Sequence, residues 1–182
     1  MLFFTKSHLK TTFFAIFALL SIALCSCDTL PKDCRSQLEK PFKAEVEGEI
    51  DGVKISATVL CDPTEHKTKE IYDKTTVTFK DGSLDGITVT LRSDGKATVR
   101  LKNSVENLPL YSGLAEPFTS LSPSVEPHSV KQTESGFEIV FKDDQLLTTC
   151  YFDKYGVIKK VEGKAYGREI LLNITNFEQI EK

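Results

Sequence analysis

From Phe42 onward the chain alternates. Phe42, Ala44, Val46, Gly48 and Ile50 occupy every second position, with Lys43, Glu45, Glu47 and Glu49 between them. Successive side chains of a strand point to opposite faces, so the pattern predicts a strand packed on one side and wet on the other. Asp51-Gly52 follows, a dipeptide favoured in two-residue hairpin turns because both positions take positive φ. Val53, Ile55, Ala57, Val59 and Cys61 then alternate back. A hairpin with one apolar face is expected over residues 42–61.

The same period recurs to the end of the chain. Thr75-Thr76-Val77-Thr78-Phe79 is rich in β-branched residues, and Ile87 to Arg92 alternates after the turn cluster Asp81 to Gly86. Asp94-Gly95 turns the chain into Ala97 to Lys102. Phe137 to Phe141, Leu146 to Phe152, Val157 to Lys164 and Arg168 to Phe177 complete the set, with Asp143-Asp144 and Tyr155-Gly156 at turns. About ten short strands separated by turn signals predict a mainly β domain built on an antiparallel sheet, sandwich or barrel.

The middle departs from this period. Pro109 to Pro127 holds four prolines and places Leu110, Leu114, Phe118 and Leu121 four, four and three residues apart. Those intervals fit one face of a helix. Pro117 removes a backbone donor inside it and disfavours a helical Glu116. The expectation is one or two broken helical turns over Tyr111 to Leu121, lying on the apolar face of the sheet, then an extended stretch rich in Ser and Pro.

The N-terminus follows a different logic. Lys6 and Lys10 precede an uncharged run from Thr11 to Cys27 with a strongly apolar centre, Phe13 to Leu20. This is the pattern of a secretory signal, too short for a comfortable membrane span. It ends in Leu24-Cys25-Ser26-Cys27, which resembles the bacterial lipobox, where the cysteine receives diacylglycerol. A signal peptide over 1–26, Cys27 as the lipid-attachment residue, a flexible tether over 27–41 and a β-rich extracytoplasmic domain over 42–182 are expected. The alternative is an ordinary signal peptide with Cys27 incidental. Loss of residues 1–26 removes two lysines and no acid, leaving 21 basic and 26 acidic side chains and a formal charge of −5. Nothing in that balance suggests a nucleic-acid partner.

Of five cysteines, cleavage removes Cys25 and lipidation uses Cys27, so Cys34, Cys61 and Cys150 remain. Two alternatives stay open for the last pair: a Cys61–Cys150 disulfide in an oxidising compartment, or two buried thiols. The chain has no C-x-x-C, G-x-S-x-G, H-E-x-x-H or P-loop pattern. His66 lies in the polar run Asp62 to Lys67 without metal-ligand spacing, and His128 has no obvious nucleophilic partner. No cofactor, metal or catalytic residue is expected.

The lipobox, the polar segment after it, the Phe-x-Ala-x-Val opening and the run Val77 to Val89 together resemble small lipoproteins of clostridia-like Gram-positive bacteria. Their shape is similar to the lipoprotein-carrier (LolA/LolB-like) superfamily. That resemblance implies a half-barrel, one strongly curved antiparallel sheet around short helices, with a cavity for lipid or acyl chains, or a surface for partner proteins. The leading functional expectation is a non-enzymatic, membrane-anchored envelope lipoprotein, monomeric, whose cavity holds an apolar ligand. Val46, Ile55, Val59, Val77, Phe79, Val89, Leu91, Val99, Leu101, Phe137, Ile139 and Phe141 are its expected lining, and Leu114, Phe118 and Leu121 its lid. For each of them the bland reading is plain core. The alternative function is an envelope interaction module with a filled core and a contact surface at Ser120 to Ser129.

Overall fold

A computed structural model describes residues 30–63, 71–101, 104–106 and 112–181. Among the described residues, eleven strands form one antiparallel sheet: β1 (Phe42–Ile50), β2 (Val53–Cys61), β3 (Asp73–Phe79), β4 (Ile87–Arg92), β5 (Ala97–Leu101), β6 (Ser104–Glu106), β7 (Pro127–Gln132), β8 (Gly136–Lys142), β9 (Leu146–Asp153), β10 (Ile158–Ala165) and β11 (Arg168–Gln179). Their order is β6-β5-β4-β3-β2-β1-β11-β10-β9-β8-β7. Each half is a run of hairpins, and the halves are joined where the first strand pairs with the last, Phe42 opposite Gln179 and Ile50 opposite Ile170. The ends of the sheet, β6 and β7, do not pair with each other, so the barrel stays open.

The hairpins form where their turn residues allow it. Asp51 and Gly52 both have positive φ, 51° and 75°, and so do Tyr166 and Gly167, 53° and 77°. These are the conditions for the turn whose twist matches that of paired strands. At the β8–β9 turn Asp143 Oδ1 accepts the backbone N–H groups of Gln145 and Leu146, each at 2.7 Å.

Alternation then sorts the two faces. Among the inner positions of β1 to β4, Phe42, Val46, Val59, Val77 and Val89 are fully buried. Outside, threonines pair across strands, Thr76 with Thr90 and Thr78 with Thr88, both at 3.1 Å between hydroxyl oxygens. Glu45 on the same outer face takes the Thr58 hydroxyl and the Lys80 ammonium.

Between β6 and β7 the chain forms α2 (Ser112–Ala115) and then a 3₁₀ turn, Glu116–Leu121. The broken helix expected here is present, and Pro117 sits where the tighter helix begins. Its position reveals the curvature of the sheet. β3 and β9 lie five interstrand steps apart, about 24 Å along the sheet at ~4.8 Å per step. Yet the Phe118 ring meets the Phe79 ring of β3 edge-on at 6.0 Å, and the Ser120 carbonyl oxygen lies 3.7 Å from Cys150 Sγ of β9. Only a sheet wrapped around this turn brings both arms to it.

One expectation is corrected, and one open alternative is decided. The stretch taken as part of a flexible tether contains α1 (Lys32–Leu38), with Cys34 fully buried and Leu38 nearly so. One apolar pair spaced by four residues is a weak helical signal, and packing on the core stabilises what propensity alone does not. Of the two alternatives open for Cys61 and Cys150, the structure has the free, buried thiols rather than the disulfide. β1, β11 and β10 separate their strands in the sheet.

Candidate functional site

The expected cavity lining is packed. Val46, Ile55, Val59, Val77, Phe79, Val89, Leu91, Val99, Ile139 and Phe141 belong to one continuous core, which Phe118 and Leu121 fill from the concave side at zero exposure. Leu114 and Phe137 are half-buried against it. Leu101 differs: it shares a face with Ala97 and Val99, but at the end of β5 it is 51% exposed. Cys27 and His66 lie outside the described residues, and His128 is exposed on β7.

Concave space remains beside this plug. A cleft of about 570 Å³ runs between α1 and the arm Ser122–Pro127, with Phe141 at its base. Leu30, Leu38, Pro63, Pro123, Val125, Pro127 and Phe141 give it apolar walls, and Arg35, Glu39, Ser122, Ser124 and Glu126 a polar complement. Its size falls in the range of small-molecule sites, which combine apolar lining with a few polar groups.

The arm that forms one wall is pinned at three places. Ser122 Oγ donates to the Leu38 carbonyl at 3.1 Å, satisfying one of the acceptors left open at the C-terminal end of α1. Lys74 Nζ donates to Ser124 Oγ at 3.2 Å. Arg35 reaches Glu126 with one nitrogen and Glu39 with the other, each at 3.4 Å. Both ion pairs are exposed, so they position more than they stabilise.

α1 in turn depends on Gly156. This glycine has φ of 79°, and a Cβ there would lie 2.6 Å from the Asp33 carbonyl carbon and 2.8 Å from Cys34 N. The absent side chain lets the β9–β10 turn touch the first turn of α1. Asp153 builds that turn by accepting the N–H groups of Tyr155 and Val157, at 2.9 and 3.0 Å. Burial pushes the Asp153 carboxyl up, but these bonds and Lys159 outweigh it and hold it below the usual range.

Two further grooves lie on the outer face, of about 510 and 470 Å³, both bordered by Glu49 and Leu171 and lined by charged groups together with glycine and aliphatic residues. A separate cluster on that face joins Tyr151, Glu162 and Lys160. The Tyr151 hydroxyl donates to Glu162 at 2.5 Å, and Lys160 lies 2.6 Å from the same carboxylate and over the Tyr151 ring. The bond to Glu162 pushes the phenol up to about 12, and Lys160, followed by Tyr151, holds Glu162 low. The three thiols are all pushed up by burial, Cys34 to about 11 and Cys61 to about 12. Such thiols are inert at neutral pH, because the nucleophile is the thiolate. Among the described residues no three His, Cys, Asp or Glu side chains converge on a metal position, and no helix is long and apolar enough to cross a membrane.

No family profile matches the chain, and no curated protein matches it.

The sequence reading named Phe141 and the Ser120–Ser129 stretch, but neither Leu30 nor Leu38. A signal for α1 was present: Arg35 and Glu39 are spaced as helical neighbours, as are Cys34 and Leu38.

Proposed function

We propose that this chain is a non-enzymatic binding protein of the cell envelope, held at the extracytoplasmic side of a membrane by lipid on Cys27, with an apolar ligand seated in the cleft beside α1. The supporting observation is the cleft itself: about 570 Å³ with apolar walls on both sides, beside a continuous buried core. The anchoring part of the reading rests on the lipobox Leu24 to Cys27. The test is mass spectrometry of an organic extract from natively purified protein starting at Asp28, beside Val125→Glu. Val125 lines the cleft and is only half-buried. A stoichiometric fatty acid or lipid, lost in a variant with unchanged circular dichroism, is the expected result. A folded protein without ligand refutes the binding reading.

One observation favours a second reading. Phe118 and Leu121 are fully buried on the concave side of the sheet, while the Ser122–Pro127 arm runs along its surface. In that reading the arm contacts an envelope protein. An extract empty of lipid, together with site-specific crosslinks from Ser124 to one recurring protein in intact cells, would select it.

A further inference from the structure

Leu30, the first described residue, lines the cleft, and α1 begins two residues later. The helix is fastened: Cys34 is wholly buried, Ser122 holds its last carbonyl, and Arg35 ties it to Glu126. Three residues carry the chain from Cys27 to Leu30, a reach of at most about 11 Å fully extended. Whatever the sulfur of Cys27 carries is therefore delivered close to the cleft.

We propose that the occupant of the cleft is an acyl chain carried on Cys27 of the same molecule. This rests on the reading above, both the lipid on Cys27 and the affinity of the cleft for apolar chains, and names the ligand. The short connection selects the source. A ligand joined by a link of a few residues is present at about millimolar effective concentration, before any free lipid competes. The walls that Leu30, Leu38, Val125 and Phe141 provide suit a hydrocarbon chain, and the charges of Arg35, Glu39 and Glu126 offer a polar side toward water or headgroups. The docked chain leaves the bilayer. Of a two-chain anchor, one chain then remains inserted, and a single chain gives only reversible attachment. The cleft thus regulates how firmly the protein is held.

The experiment uses the full lipidated protein in its own membrane. Cells are fed a fatty acid bearing a photoreactive diazirine, which labels the Cys27 lipid and the phospholipids alike, and are then irradiated. The expected product is an intramolecular crosslink between the N-terminal lipopeptide and a peptide of the cleft wall, from 122–131 or containing Phe141. Val125→Arg and, independently, Leu30→Arg abolish it while leaving the protein lipidated and folded by limited proteolysis. Crosslinks from the cleft to free phospholipid alone overturn the self-docking proposal and leave the lipid-binding reading standing. Absence of any lipid crosslink at the cleft overturns both.

Discussion

At the scale of single residues, two positions on the concave side carry opposite consequences. Gly48 faces inward from β1 with no room for a side chain, because a Cβ would come within 1.9 Å of the Leu171 carbonyl oxygen. That neighbour is backbone in a paired strand and cannot swing aside. Gly48→Ala should therefore destabilise by roughly 1–3 kcal/mol, the range for overpacking. The measurement is a lower urea midpoint at unchanged slope. Thr148 is the reverse case. It is buried at 1% exposure, and its hydroxyl finds no partner among the described residues. A buried unpaired hydroxyl costs about 1–3 kcal/mol, so Thr148→Val should raise the urea midpoint. A midpoint lowered by Thr148→Val would show that the hydroxyl has a partner. Neither position stands out in the sequence, since Gly48 reads only as one of five alternating inward residues and Thr148 as an ordinary strand threonine.

Among the elements, α1 decides the shape of the candidate site and was the least legible. The Asp51-Gly52 hairpin could be read directly because its turn residues and its flanking period are local. The broken helix could be read from the spacing of Leu114, Phe118 and Leu121, with Pro117 marking its tightening. α1 shows only Cys34 and Leu38 as apolar residues in seven, and its helix is fixed by contacts with Gly156 and Ser122, over eighty residues away in the sequence. The cleft inherits that difficulty, since its walls come from residues as distant as Leu30 and Phe141. The dependence on Gly156 is open to measurement. Gly156→Ala should lift the start of α1 from the β9–β10 turn and uncover Cys34, while Cys61 and Cys150 stay inside the sheet's core. Labelling with a maleimide in the native state should rise from none to one thiol. Protection of all three would mean that the turn, rather than the helix, gives way.

For the whole molecule, the closure of the two halves through β1 and β11 was beyond sequence reasoning, because antiparallel pairing between chain ends leaves no local mark. The alternation predicted strands and faces; the order in which hairpins joined, and whether the sheet shut into a barrel, depends on contacts across the full chain. That arrangement keeps three thiols out of water, and the consequence is a stability that falls in alkali. Burial raises Cys34 to about 11 and Cys61 to about 12, with Cys150 raised as well. In the unfolded chain these thiols titrate near ~8.5. Between those limits the native state keeps protons that the unfolded state has lost, so unfolding releases protons and becomes easier as pH rises. The contribution is fully present below about pH 8.5 and diminishes toward the folded values, by up to about 1.4 kcal/mol per pH unit for each thiol. The check is the urea unfolding free energy, under reducing conditions, at several pH values from 7.5 to 10.5. The wild type should lose stability more steeply over that range than Cys34→Ala/Cys61→Ala/Cys150→Ala, which starts lower because its core has been hollowed. Parallel slopes would mean that the thiols reach water before the fold opens, and that the covers provided by α1 and the 3₁₀ turn part well below the energy of global unfolding.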